Sequence, residues 1–197
     1  MNIENVINTQ YLTRGTLLSA KNAFRSAEGM PSIQLQQFFT KEFFSKLSNI
    51  VKKAKYKRKE LISIASFMEA KEVPKEINEL FSSDEFRKLL SLIVGKELKK
   101  LGELRVIYFG HKDYTLVQEE VRKFPGIDLW VDFTSDWEEE FGGRISYRDA
   151  EKELVYFYPM ENAVTIVNRK KELNFIKYVN NKAKNRKRFL IKAYFAL

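Results

Sequence analysis

The sequence predicts an α+β protein, with helices gathered in its first hundred residues and strands in the remainder. Two observations carry this. Before Gly95, apolar residues recur three and four apart in two stretches; after Gly102 the pattern becomes eight short β-branched and aromatic runs separated by brief turns. Helices first and strands after place the helices on one face of the sheets, and many short strands in succession make a sandwich or barrel. A chain of 197 residues is long enough for one well-buried core. No apolar run approaches the roughly 20 residues that a membrane span needs.

In chain order, residues 1–31 read as an N-terminal arm with one short helix, in which Leu12, Leu17, Leu18 and Phe24 are the candidates for burial. Residues 32–197 read as a single domain, helical over 32–101 and stranded over 102–197. SIQLQQFF alternates apolar and polar residues (Ile33, Leu35, then Phe38 and Phe39), as a half-buried strand does. Thr40 then caps a helix that aligns Phe43, Phe44, Leu47, Ile50 and Val51 on one face and fades after Ala54 into a basic cluster. LISIASFM, residues 61–68, is β-prone, with Ser63 and Ser66 placing it near a sheet edge. Pro74 opens a short helix, and Ser82 with Glu85 forms a capping box for the next. That helix, DEFRKLLSLIV, buries Phe86, Leu89, Leu90, Ile93 and Val94, and Gly95 stops it.

The eight strand candidates are LRVIYF, YTLV, IDLWVDF, RISY, LVYFY, AVTIV, FIKYV and FLIKAYF. WEEEFGGRISY lies between the third and the fifth. Gly142 and Gly143 lack β-carbons, so the chain there can take positive φ or approach another backbone closely. No helix start follows the pair, so it does not fit a phosphate-cradling loop.

Composition excludes some chemistry outright. The chain has no cysteine, so disulfides, thiolate zinc sites and cysteine nucleophiles are ruled out, and its N-terminus lacks the basic-then-apolar layout of a signal peptide, which points to the cytoplasm. The net charge of +9 raises the local concentration of anions. It concentrates in KKAKYKRK, bounded by Lys52 and Lys59, and in a tail that opens at Arg169 and closes at Lys192. An acidic protein or RNA is the partner such clusters suit, although a solvated lysine face is the plainer reading. Phe175, Tyr178, Phe189 and Tyr194 interleave with the basic tail and would favour RNA if exposed; their strand spacing instead suits a core.

The single histidine, His111, stands two residues before Asp113, so on an extended chain both side chains project to one side and could reach one metal ion. A loop histidine beside a glycine is more simply a surface residue. Asp136 with Glu138, Glu139 and Glu140 reads as a solvated turn rather than paired catalytic carboxylates.

With the strands laid out, the chain resembles the iron(II)- and 2-oxoglutarate-dependent oxygenases, in their prolyl-hydroxylase-like branch. IQLQQFFTKEFFSKL looks like that branch's opening strand and helix, and LFSSDEFRKLLSLIVG resembles the helix before its core. IDLWVDFTSDW with EEEFGGRISYRD is similar to its strand, Trp and Gly-Gly turn, PMENAVTIV to its Pro-x-x-Asn strand, and RFLIKAYF to its final strand. The resemblance implies a distorted double-stranded β-helix, or jelly roll, with helices from the N-terminal half packed on one face. It also implies iron(II) and 2-oxoglutarate as cofactors, held by a His-x-Asp/Glu pair, a distal His and an arginine suited to bidentate carboxylate binding.

Carried across, the arginine falls on Arg188. The His-x-acid pair falls on Gln118 and Glu120, and the distal histidine on Asn174, or on Asn181 at the other end of that strand; His111 and Asp113 are the alternative pair in another register. Amide oxygens are weaker and harder donors than imidazole nitrogen, so Gln118, Glu120 and Asn174 would hold iron(II) poorly. The expectation is therefore an oxygenase-like fold with a degenerate iron site, acting as a non-catalytic binding module for an anionic ligand, a protein or RNA. The alternative is an active dioxygenase that hydroxylates a protein side chain.

Overall fold

The structure is a computed structural model that describes residues 3–61, 64–116 and 125–197. The N-terminal stretch is not a detached arm. Thr13 caps α1 (Arg14–Ser26), accepting from the Thr16 amide at 3.3 Å. Val6, Ile7, Tyr11, Ala20 and Phe24 are buried in the main core, and Ile7 bridges Phe39. Val6 and Ile7 carry no periodic signal in the sequence, and only tertiary packing reveals their role. Leu18, expected to be buried, is exposed.

After β1 (Ser32–Leu35), the Thr40 hydroxyl accepts from Phe43 N at 3.4 Å and starts α2 (Lys41–Lys53), as expected. The helix stops at Lys53 with Ala54 as its C-cap, as expected. The rest of the basic cluster, for which the sequence indicates no element, enters β2 (Tyr56–Leu61), which turns back on β3 (Ala65–Ala70). The strand expected over 61–68 is thus shifted toward the C-terminus. In α3 (Lys75–Ser82) and α4 (Asp84–Val94) the junction moves by one residue. Ser83 rather than Ser82 is the cap, accepting from Phe86 N at 3.3 Å, because Ser82 still completes α3. Gly95, at φ 71°, closes α4 in the left-handed region.

All eight strand candidates after Gly102 form strands. They are β4 (Leu101–Phe109), β5 (Tyr114–Thr115), β6 (Gly126–Asp132), β7 (Ile145–Arg148), β8 (Glu153–Phe157), β9 (Ala163–Arg169), β10 (Leu173–Ile176) and β11 (Arg188–Ala196). Among the described residues they join β1, β2 and β3 to build an eight-stranded sheet, ordered β1-β9-β6-β11-β4-β3-β2 with β5 on β3, and a three-stranded sheet, β10-β7-β8. Every pairing is antiparallel.

Every residue of β6 and β9 is buried because both faces of these central strands are covered. On one face Leu129, Val131, Ile166 and Ile191 share a cluster with Phe38, Leu47, Phe86 and Ile93 from the helical half. On the other, Trp130, Val167 and Leu190 meet Ile145, Tyr147 and Ile176 of the smaller sheet. Each such large apolar side chain contributes about 1.5–3 kcal/mol relative to exposure. The result is a distorted double-stranded β-helix with the helices on one face of its larger sheet. No helix among the described residues is long and apolar enough to cross a membrane.

Candidate functional site

The Gly-Gly turn organises one end of the space between the sheets. Gly142 and Gly143 adopt φ of 79° and 76°, and a β-carbon on Gly142 would overlap the Tyr178 carbonyl oxygen. The turn is tied down by Trp137 Nε1, which donates to Gly142 O at 2.9 Å, and by Gly143 N, which donates to Lys177 O at 3.0 Å. This leaves the Gly143 carbonyl to accept a hydrogen bond from Arg188 Nη1. Arg188 opens β11 and Asp132 closes the neighbouring β6, so the register of the larger sheet brings them together. Arg188 donates to Asp132 Oδ2 from Nε at 3.0 Å and from Nη2 at 2.7 Å. The second Asp132 oxygen accepts from Thr134 N at 2.9 Å. Arg188 is 1% exposed, so its charge is balanced inside the fold.

A second buried network occupies the interior nearby. Trp130 Nε1 donates to Tyr147 Oη at 2.8 Å, and Tyr147 in turn donates to Asp128 Oδ2 at 3.0 Å. Arg169 pairs with the same Asp128 oxygen at 3.0 Å and donates from Nη1 to Asn174 Oδ1 at 3.1 Å. Lys192 Nζ lies 5.3 Å from the centroid of the Trp130 ring. Burial, reinforced by the Asp128 charge, pushes the Tyr147 phenol well above its ordinary pKa, so it remains a donor. None of Asp128, Trp130, Tyr147 or Arg169 was picked out by motif. A signal was present, since Asp128, Trp130 and Asp132 alternate in an otherwise apolar strand and therefore share one face.

Of the other site candidates among the described residues, Asn174 alone joins these networks, through Arg169. Gln118 and Glu120 fall outside the described residues. Asn174 is buried against Arg169, whereas Asn181 is exposed in a 3₁₀ turn. His111 and Asp113 do not share a side, because Lys112 between them turns the chain at φ 71°. His111 is exposed. Asp113 is buried and accepts from Gly110 N at 2.8 Å and, more weakly, from Ser66 Oγ at 3.5 Å, while Arg58 Nη1 lies 2.7 Å from its Oδ1. Burial raises the Asp113 carboxyl above its ordinary pKa, against the pull of the Gly110 amide, Arg58 and Ser66.

Among the described residues no three His, Asp or Glu side chains are grouped to hold a metal ion. The arginine expected to meet a cosubstrate carboxylate already meets the carboxylate of Asp132, and Asn174 already accepts from Arg169. These described residues do not fit iron(II) with 2-oxoglutarate.

The basic clusters divide differently. In the C-terminal one, Arg169, Arg188 and Lys192 are buried, while Lys177, Lys182 and Lys184 are exposed. Phe175 and Tyr194 are half-buried and Tyr178 is exposed, so these rings are not uniformly core. In the first cluster Lys52, Lys53, Lys55 and Lys57 are all exposed.

Two facing antiparallel sheets with helices on one side define an oxygenase-like double-stranded β-helix. Residues 53–197 match the family described as "Oxoglutarate and iron-dependent oxygenase degradation C-term", and the chain belongs to that family. Its fold is similar to that of a prolyl-4-hydroxylase from Pseudomonas putida (TM-score 0.70, 10% identity, covering 91% of this chain and 98% of the other). It is also similar to a 2OG-Fe(II) oxygenase family oxidoreductase from Burkholderia pseudomallei (TM-score 0.72, 8% identity, 93% and 92% covered). A third likeness is to a prolyl hydroxylase from Trichoplax adhaerens, in complex with a hypoxia inducible factor peptide fragment (TM-score 0.61, 12% identity, 93% of each chain covered). At these identities the likeness concerns the fold alone. No curated protein matches the sequence significantly.

Proposed function

We infer that the chain is a non-catalytic member of the oxygenase fold, whose degenerate iron site leaves it to act as a binding module for an anionic partner. The observation that carries this is the closure of Arg188 by Asp132 Oδ2 and the Gly143 carbonyl. A buried guanidinium already balanced by an internal carboxylate gains little from a second one, since a dicarboxylate would have to displace Asp132 and leave it buried without its partner. The net charge of +9 and the exposed lysines of residues 52–59 support an acidic protein or RNA as the partner.

The test is an anaerobic titration of the full chain with iron(II) and 2-oxoglutarate, followed by visible absorption and thermal unfolding. The expected result is no charge-transfer band and no shift in melting temperature. A saturable band would establish the alternative, a working dioxygenase acting on a protein side chain, and would overturn this reading.

A further inference from the structure

β2 is the last strand of the larger sheet, and among the described residues it pairs only with β3. Its outer edge is therefore unpaired among the described residues. The Lys71 amide donates to Lys55 O at 2.8 Å. From that bond, the alternation of an antiparallel ladder turns the N–H and C=O groups of Tyr56, Arg58 and Glu60 outward. The residues between them, Lys55, Lys57 and Lys59, share one face of the strand. Lys59 pairs with Glu69 at 3.4 Å, but Lys55 and Lys57 have no ion pair among the described residues.

The charge continues past the strand's start. Lys52 and Lys53 end α2, and Lys55, Lys71 and Lys75 line a groove of about 820 Å³ whose walls include Val73 and Pro74. Among the described residues Glu72 is the only carboxylate that lines it. Lys75 lies 3.6 Å from Glu79, and the other lysines here are unpaired among the described residues. Edge lysines commonly protect a sheet from self-pairing. A groove that extends the same charge beyond the last ladder position does not serve that purpose.

We propose that the outer edge of β2 is a docking site for an extended acidic segment of a partner protein, which adds a strand to the larger sheet and sets its carboxylates against Lys55, Lys57 and Lys71. Main-chain bonds supply the register and the alternating lysines supply the selectivity. An extended peptide fits better than RNA, because the described residues of this edge offer no aromatic face for base stacking. The Tyr56 ring packs on Tyr108 and Phe189, with centroids 4.8 and 6.1 Å away, and its hydroxyl donates to Val51 O at 2.7 Å. The proposal rests on the binding-module reading, and its test does not involve the barrel interior.

The experiment uses the full chain and three labelled probes: an eight-residue peptide with glutamate at alternate positions and threonine between, the same peptide with glutamine, and a single-stranded RNA. The glutamate peptide is expected to bind, with the glutamine peptide weaker by about tenfold or more. Lys55→Glu with Lys57→Glu is expected to weaken the glutamate peptide by about the same factor. Glu60→Pro, which removes one outward N–H and leaves the ladder to β3 intact, should do likewise. In the unmodified chain, the amide resonances of Tyr56, Arg58 and Glu60 should shift on titration, and this holds whether or not the proline variant folds. Absence of peptide binding, equal binding of both peptides, or unshifted amides at these three residues would each overturn the proposal. So would RNA competing with the peptide for the lysines, because the surface would then be a phosphate site. A negative result here leaves the iron titration to decide the barrel's role separately.

Discussion

Arg188 Nη2 lies 2.7 Å from Asp132 Oδ2, and both residues are almost wholly shielded from solvent. The pair joins the end of β6 to the start of β11 and, through the Gly143 carbonyl, to the turn before β7. Asp132→Ala removes the partner of a buried cation, a change that costs about 3–5 kcal/mol. Arg188→Leu together with Asp132→Ala is expected to be less destabilising than the sum of the two single changes. Urea denaturation of the four proteins in that cycle measures the coupling.

Gly142→Ala places a β-carbon against the Tyr178 carbonyl at φ 79°, so the expected loss is about 1–3 kcal/mol for the backbone alone, with the overlap adding to it. Gly110→Ala is the matched control, because the nearest atom to its added carbon, Asp113 Oδ2, lies at an ordinary 3.8 Å. Thermal unfolding should show a large drop for the first and little change for the second.

Tyr147→Phe leaves the Trp130 N–H without its acceptor and removes one donor from Asp128. A cost of about 1–3 kcal/mol is expected, read by denaturant unfolding. Near-neutral behaviour would mean that the network rearranges or takes in water.

Glu69 provides a pH-dependent contribution. Burial tends to raise its carboxyl, but Arg105, 2.6 Å away, and Lys59 outweigh that and hold it below the ordinary value. An acid whose folded pKa is lowered stabilises the fold above its unfolded pKa, and the contribution disappears as pH falls through the folded pKa. Glu69→Gln should therefore cost about 1 kcal/mol near neutral pH, and the gap to the unmodified chain should close in acid. A pH series of melting temperatures checks this.

Much of the fold is legible in the residues. The β-branched and aromatic runs IDLWVDF and AVTIV mark β6 and β9, Thr40 and Gly95 mark helix ends, and the Gly-Gly pair marks a positive-φ turn. These signals are local, because each depends on side-chain period or on a backbone conformation that few residues adopt. The course of residues 52–59 was not legible, since lysines tolerate a helix end and an edge strand equally; pairing with β3 decided between them. The capping serine was displaced by one for a related reason, as two adjacent serines offer the same hydroxyl.

The candidate site divides along the same line. Sequence alone was enough to put an arginine at position 188 at the head of the last strand, and the absence of cysteine excluded thiolate chemistry. It could not say what Arg188 touches, because Asp132 is 56 residues away and the contact exists only once β6 and β11 lie side by side. Nor could it show that Arg169 and Lys192 are buried while Lys55 and Lys57 are exposed. Residue type sets charge and period, whereas long-range strand pairing decides which charges are enclosed together and which face solvent.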